Sequence, residues 1–340
     1  MSPGGGGDDR LRDHAHGCLA GVALGDALGM PVEGWTRARI AAELGVVDRL
    51  LPGTDRGMAT GTVTDDTEQT LMLAAALTET GGVPRVDVVV RHLLAWVDAA
   101  GPRADAVIGP STAAALTLLR AGADPRTTGR SGRTNGAAMR VAPVGVVVPT
   151  EDLDALVDAV EETCVMSHHT SEALAGAAAV AAVVSSALAQ PGADLDGHVA
   201  VARAAAALAG RRGTPAAGPR LLAALDAAVE VARTAADDED FLRRLVDEVG
   251  TSVAAVESVP AAVACLVRAD ADPWRAAVLG ASAGGDADTV ASMAAGMAGA
   301  VAGLDALPAE PLGRVVAVNR LDLAPVAERL VVLRRLRVAT

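Results

Sequence analysis

Residues 17–29, GCLAGVALGDALG, decide the predicted fold because every fourth position is glycine. These positions are Gly17, Gly21, Gly25 and Gly29. At this spacing the glycines share one face of an α-helix, and a face without side chains lets a second helix approach closely. Pro31 follows the segment and cannot continue the helix. The stretch therefore predicts tight helix–helix packing.

The rest of the chain also has helical spacing of its apolar residues, with connectors rich in Gly, Pro, Arg and Thr. Residues 144–148 give the best strand signal, and that signal is short. We therefore expect an all-α, compact single-domain helical bundle over residues 11–340, preceded by a disordered tail over residues 1–10. The expected helices cover residues 66–80, 86–100, 110–121, 152–164, 171–189, 198–210, 219–236, 238–249, 259–268, 273–281, 289–304 and 321–336.

The composition excludes several kinds of chemistry. Half of the 340 residues (51%) are apolar, but there is no Tyr and only one Phe, so Ala, Val, Leu and Gly must fill the core. All 29 basic residues are Arg. A chain without Lys cannot form a Schiff base, use a lysine general base or build a Walker-type phosphate loop.

Charge and cysteine usage set expectations about the surroundings of the protein. A net charge of −13 argues against binding to a nucleic-acid backbone. The apolar run at residues 173–184 is too short to span a bilayer, and residues 1–10 do not resemble a signal peptide. The three cysteines are unpaired in spacing, which favours a reducing compartment. We expect a cytoplasmic protein without membrane or nucleic-acid partners; the sequence leaves its oligomeric state open.

Two short acidic clusters carry most of the functional information. Residues 64–67 read TDDT, and residues 286–289 read DADT after a Gly-Gly pair. Each cluster alone favours an ordinary helix start, where Asp and Thr cap the first turn. Both precede Ala-rich helices that we expect to be buried, and four buried carboxylates without partners would be very costly. Oxygen ligands suit Mg²⁺ or Mn²⁺ rather than zinc, so together the clusters predict a divalent-cation site.

Glu33 follows the glycine-rich helix, two residues after Pro31. Two interpretations stay open for its carboxylate. It can act as an acid/base group or cap a metal site, or it can be an ordinary solvated glutamate on a loop.

Five stretches, in this order and approximate spacing, resemble the ADP-ribosylglycohydrolase family, which includes the hydrolase that removes ADP-ribose from dinitrogenase reductase. The resemblance covers about residues 11–305. The stretches are residues 17–33 (GCLAGVALGDALGMPVE), 61–70 (GTVTDDTEQT), 135–145 (NGAAMRVAPVG), 167–177 (SHHTSEALAGA) and 284–299 (GGDADTVASMAAGMAG).

The resemblance implies an all-α bundle whose cleft holds two divalent cations, Mg²⁺ or Mn²⁺. It implies hydrolysis of the glycosidic bond at ribose C1″ of ADP-ribosylated protein side chains or small ADP-ribose conjugates. It assigns Glu33 and Asp66 as catalytic. The implied metal ligands are Thr64, Asp65, Asp66, Asp286, Asp288 and Thr289. The implied residues of the ADP-ribose pocket are Asn135, Gly136, Ala137, Met139 and His168.

The chain also departs from the family pattern. Many relatives have an Asp directly before an aliphatic-Gly pair, placed to meet the leaving group; here Val107 stands there and Asp105 lies two residues earlier. This puts a preference for ADP-ribosyl-arginine in doubt. Without Tyr, either a Trp or an aliphatic surface must hold adenine, or adenine is held loosely. Arg133 and Arg140 are possible helpers for the pyrophosphate, although we expect both at the solvated surface.

Two other functions stay open at this point. The chain can be a non-catalytic ADP-ribose or nucleotide-binding protein. It can also be a hydrolase of the same fold that acts on another N-glycoside or on a phosphate ester.

Overall fold

The glycine-rich segment forms helix α1 (Gly5–Gly29), which packs antiparallel against helix α17 (Ala287–Ala302). The computed structural model describes residues 5–54, 57–216, 218 and 220–338. Each glycine of the stripe faces α17 backbone: Gly17 meets Gly299, Gly21 meets Ala295, Gly25 meets Ala291 and Gly29 meets Ala287. A Cβ at position 17 would come within 2.6 Å of the Gly299 carbonyl oxygen. The predicted close helix contact is therefore confirmed.

The described residues form nineteen α-helices and no named β-strand. Their only β-type pairings are isolated bridges. Short 3₁₀ turns occupy Met30–Val32 and Leu304–Ala306, and a π-helical turn occupies Leu245–Val249. The remaining α-helices are α2 (Arg37–Glu43), α3 (Asp65–Glu79), α4 (Val86–Ala100), α5 (Pro102–Val107), α6 (Pro110–Arg120), α7 (Pro125–Thr128), α8 (Gly136–Arg140), α9 (Ala142–Val147), α10 (Leu153–Cys164), α11 (Ser171–Ala189), α12 (Leu195–Ala209), α13 (Leu221–Thr234), α14 (Asp238–Arg244), α15 (Ala255–Arg268), α16 (Pro273–Ala283), α18 (Ala309–Asn319) and α19 (Leu323–Val338).

The all-α prediction is confirmed, but the strand signal at residues 144–148 is wrong. That stretch lies mostly in α9, which has Pro143 in its first turn and every residue buried. An apolar run that is buried on all sides has no periodicity to separate a strand from a helix. Helices α2, α5, α7, α8 and α18 were not predicted either. Helices α2 and α18 each have only one buried residue, and α5, α7 and α8 have six residues or fewer.

The start of the chain also differs from expectation. Helix α1 begins at Gly5, inside the segment expected to be a disordered tail, and residues 1–4 lie outside the described part. Asp8 pairs with Arg335 of α19, and Asp9 pairs with Arg12 one turn later. The Asp8–Arg335 pair ties the first turns of α1 to α19, whereas the Asp9–Arg12 pair lies within α1.

Helix α11 runs through the main core, and nearly all its residues are buried. Among the described helices, it alone has the length and apolar composition of a membrane span, and 94% of its most apolar window is buried inside the bundle. A buried core helix can have the same length and apolar composition as a membrane span, so we interpret α11 as the central helix of the bundle.

Three helix ends meet at one side of the bundle and position the site. Helix α1 ends at Gly29, α17 begins at Ala287 beside it, and α3 begins at Asp65 against Asp26 of α1. Because both acidic clusters stand at helix starts, the tight packing of α1 on α17 carries the second cluster towards the first.

Candidate metal centre

The two acidic clusters converge in the folded chain. The Thr289 hydroxyl donates a hydrogen bond of 3.2 Å to Oδ2 of Asp66, across 223 residues of sequence. Two groups of three carboxylates each bring one oxygen per residue within 4.8 Å of the other two. Asp288 belongs to both groups, so the groups form one continuous acidic centre. They consist of Asp26, Asp66 and Asp288, and of Glu33, Asp286 and Asp288.

Asp26 holds the start of α3, a role that the sequence analysis did not assign. Its side chain is fully buried and accepts hydrogen bonds from the Thr64 backbone N–H (3.0 Å) and hydroxyl (2.8 Å). It also accepts from the Thr67 backbone N–H (3.1 Å) and hydroxyl (2.5 Å). Asp26 thereby orients the first turn that carries Asp65 and Asp66. The signal in the sequence was a single charged residue within the otherwise apolar, glycine-striped stretch 17–29.

The loop before α17 depends on its two glycines. Gly284 and Gly285 adopt φ values of +76° and +71°, a region that L-residues rarely occupy. Gly285 donates to the Trp35 carbonyl (2.8 Å), and its own carbonyl accepts from Gly34 N–H (2.7 Å). This pairing brings the Glu33 loop over the acidic centre, and Glu33 lines the same cavity as the aspartates. Its position favours the site interpretation over a solvated loop glutamate.

Burial and mutual repulsion perturb these carboxyl groups. Burial raises the pKa of Asp65, Asp66 and Asp288 well above the usual range, and neighbouring carboxylates raise it further. Burial also raises the pKa of Asp26 to about 6, against the hydrogen bonds it accepts. In addition, Oδ1 of Asp66 is buried without a hydrogen-bond partner among the described residues. An orphaned carboxylate oxygen among crowded like charges fits the oxygen-rich coordination of Mg²⁺ or Mn²⁺.

Most of the predicted site residues line one cavity. Three do not line it: Thr64, Ala137 and His168, which are all buried. His168 lies behind Gly136, and a Cβ added to Gly136 would come within 2.9 Å of its imidazole. His168 therefore does not line the cavity itself, because Gly136 stands between them, and its part in substrate binding stays a prediction. The predicted residues that do line the cavity are Glu33, Asp65, Asp66, Asn135, Gly136, Met139, Asp286, Asp288 and Thr289.

The Asn135 side chain faces the acidic centre. Its amide nitrogen donates to Oδ2 of Asp286 (2.5 Å) and lies 3.0 Å from the Ser258 hydroxyl. Its backbone N–H is bonded to the Val253 carbonyl (3.0 Å). Asn135 therefore links the predicted substrate segment to a predicted metal ligand, a role absent from the sequence analysis.

The rest of the cavity wall is largely apolar. Val107, Pro110 and Val253 lie along it, with Gly109, Thr112 and Thr134. The side chain of Asp105 lies outside the described part of the structure. Among the described residues that line the cavity, none is aromatic. Of the surfaces that the composition left open for adenine, this cavity offers the aliphatic one.

Arg140 differs most from its expected place. It was expected at the solvated surface, but it is only 1% exposed and lies on the inner face of α8. Its guanidinium donates to Gln69 and Ser167, away from the cavity. Burial of a long charged side chain cannot be read from a short Ala-rich motif, so the sequence offered no sign of it.

The chain was compared with known proteins. The ADP-ribosylglycohydrolase family profile matches residues 7–339. An uncharacterised protein of Escherichia coli (strain K12), YegU, is 36% identical over 330 residues, covering 95% of this chain and 98% of that protein. ADP-ribosylhydrolase ARH3 of Mus musculus is 28% identical over 333 residues, covering 86% and 84%. A solved ADP-ribosylglycohydrolase-related protein complex aligns with a TM-score of 0.70 at 26% identity, covering 96% and 99%.

Proposed function

Because the chain belongs to the ADP-ribosylglycohydrolase family, we propose that it uses two divalent cations, Mg²⁺ or Mn²⁺, to cleave the glycosidic bond at ribose C1″ of ADP-ribose conjugates. Its family and fold make it a glycosyl hydrolase. The observation that carries the proposal is the convergence of four aspartates from two helix starts in the cavity that Asn135, Gly136 and Met139 also line. Conjugates on protein side chains and on small leaving groups both fit this reaction.

In this proposal Thr64, Asp65, Asp66, Asp286, Asp288 and Thr289 hold the cations. When bound, such ions hold hydroxyl oxygens of a substrate and lower the pKa of a coordinated water. The Asp66 carboxylate orients the reacting groups, helped by the hydrogen bond from the Thr289 hydroxyl. Glu33, at the edge of the centre, moves a proton at its carboxylate oxygen. Water would add to C1″ through an oxocarbenium-like state as the bond to the leaving group breaks, and the leaving group would take up a proton.

The remaining substrate contacts come from the other cavity walls. Backbone N–H groups around residues 135–139 are our candidates for the pyrophosphate, since Gly136 leaves room for close approach. The apolar surface of Val107, Pro110 and Val253 is available to adenine or to the leaving group. A cytoplasmic location remains a prediction from the free, buried cysteines.

The direct test is release of ADP-ribose from mono-ADP-ribosylated protein with Mg²⁺ or Mn²⁺. Asp66→Ala and Asp288→Ala are expected to abolish release, whereas Asp194→Ala, which removes a helix cap far from the cavity, is expected to keep it. Full activity of either site variant would refute the assignment. Titration with ADP-ribose separates a hydrolase from a non-catalytic binding protein. Tight binding without turnover would favour the binding protein.

A further inference from the structure

We propose that Arg140 is a positioning residue that orients both halves of the site from behind. Through Gln69 it orients the carboxylate of Asp65, and through Ser167 and then His168 it orients Thr134 on the cavity wall. This inference rests on the proposed function, in which Asp65 holds a cation and the Thr134 side of the cavity receives ADP-ribose.

Arg140 is a buried cation with neutral hydrogen-bond partners. Its guanidinium donates to the Gln69 amide oxygen (2.8 Å) and the Ser167 hydroxyl (2.7 Å), with the Met166 sulfur at 3.8 Å. Each of these polar contacts leads to another group nearer the cavity. A guanidinium has only donors, so it imposes a direction on every bond that follows from it.

The first arm runs to the acidic centre. Because Arg140 can only donate, the carbonyl end of the Gln69 amide must face it, which leaves the amide N–H₂ end facing Asp65. Nε2 of Gln69 donates to Oδ2 of Asp65 at 2.8 Å. With the amide reversed, two oxygens would confront each other. Arg140 thus decides which end of Gln69 meets the carboxylate and leaves the other oxygen of Asp65 for a cation.

The second arm runs to the cavity wall. Since the Ser167 oxygen accepts from Arg140, its proton is available to Nδ1 of His168 at 2.8 Å, a better acceptor than the Met166 sulfur at 3.3 Å. Burial, with the Arg140 charge, holds the pKa of His168 well below its usual range, so the ring is neutral. With Nδ1 accepting, the ring proton sits on Nε2 and faces the Thr134 hydroxyl at 2.9 Å. Thr134 lines the cavity.

Arg334 offers a matched comparison within the same chain. It is also buried, 4% exposed, and its guanidinium donates to Ser185 and to the carbonyls of Gly145 and Val146. These bonds join α19 to α9 and α11, and none of these partners lines the cavity. Substitution of Arg334 therefore shows how losing a buried arginine with a purely structural role changes stability and Mn²⁺ affinity.

The experiment measures Mn²⁺ binding to metal-stripped protein by calorimetry, and ADP-ribose binding to the Mn²⁺-loaded protein. We expect Arg140→Met to weaken Mn²⁺ binding by about 10-fold, the lower end of the range for direct partners of metal ligands, because Arg140 acts through Gln69. Arg334→Met is expected to lower the melting temperature and leave Mn²⁺ affinity unchanged. Gln69→Leu is expected to weaken Mn²⁺ binding alone, and Ser167→Ala to weaken ADP-ribose binding alone.

Equal Mn²⁺ affinity of Arg140→Met and Arg334→Met would overturn the inference. If Arg140→Met does not fold, Gln69→Leu and Ser167→Ala test the inference instead. Unchanged Mn²⁺ affinity in Gln69→Leu, or unchanged ADP-ribose affinity in Ser167→Ala, would overturn the inference. Mn²⁺ binding is measured without substrate, so the two proposals fail separately. A chain that binds Mn²⁺ through the Arg140 network but releases no ADP-ribose contradicts only the proposed function.

Discussion

The last residue of α1, Gly29, lies directly against the backbone of Asp288. A Cβ at position 29 would come within 2.5 Å of both the nitrogen and the Cα of Asp288. The glycine stripe that packs α1 on α17 thus ends at a predicted metal ligand. Helix packing and placement of the acidic centre depend on the same contact.

Gly29→Ala is therefore expected to displace Asp288 and weaken Mn²⁺ binding, in addition to destabilising the fold. Gly17→Ala is the matched control, because its Cβ would clash with the same helix at the Gly299 and Gly303 backbone, far from the acidic centre. Both variants are expected to lose roughly 1–3 kcal/mol of unfolding free energy through overpacking. Calorimetry with Mn²⁺ separates them, and equal Mn²⁺ affinities would contradict the proposed link.

Asp26→Asn is expected to weaken Mn²⁺ binding by about 10- to 100-fold, as loss of a partner that orients metal ligands usually does. An amide nitrogen cannot accept from the Thr64 and Thr67 N–H and O–H groups that now converge on Asp26. The first turn of α3 would then shift, with Asp65 and Asp66 on it. Asp194→Asn is the control, since Asn caps a helix as well as Asp does and α12 lies away from the centre. Wild-type affinity in Asp26→Asn would show that Asp26 does not orient this turn.

The stabilising effect of Mn²⁺ is expected to shrink as the pH falls. The pKa of Asp26 is raised to about 6, and those of Asp65, Asp66 and Asp288 are raised well above 3.8, mainly by burial. A carboxyl group whose pKa is higher in the folded state than in the unfolded state binds its proton more tightly when the protein is folded. Such groups stabilise the metal-free protein at low pH, and this stabilisation is lost as the pH rises through the pKa of the folded state. Cations require the deprotonated groups, so protons compete with Mn²⁺.

The measurement is the melting temperature with excess Mn²⁺ minus that with chelator, followed from about pH 8 down to about pH 5.5. The double variant Asp66→Asn with Asp288→Asn controls for effects outside the centre. For this variant we expect almost no difference between the melting temperatures with Mn²⁺ and with chelator. A difference that stays constant across this range in the wild-type chain would argue against cation binding by these carboxylates.

Val107→Asp is expected to raise turnover of ADP-ribosyl-arginine. Val107 lines the cavity beside Gly109 and Pro110. The family resemblance implies an Asp at this position that would meet the leaving group. A carboxylate there would pair with a guanidinium, and a charge-assisted bond worth about 1.5–3 kcal/mol corresponds to roughly 10- to 100-fold in kcat/KM. Val107→Asn, similar in size but uncharged, is the control. A gain in both variants, or in neither, would show that charge at this position does not select the leaving group.

Much of the fold could be predicted from the sequence, because its signals are local. Helix α4 and helix α11 begin and end at the predicted residues, and both acidic clusters stand at helix starts as expected. The α9 segment gave the best strand signal because a fully buried run has no polar face, and burial on every side is decided by its neighbours.

The glycine stripe, the helix caps and the two acidic clusters follow from residues a few positions apart, so the sequence alone determined the all-α bundle and pointed to its acidic centre. Only the tertiary structure decided that Asp26 holds the start of α3, that Asn135 bonds Asp286, and that Gly136 separates His168 from the cavity. Most of these contacts join residues tens to hundreds of positions apart. No local periodicity encodes such contacts, because they exist only once packed helices bring the distant residues together.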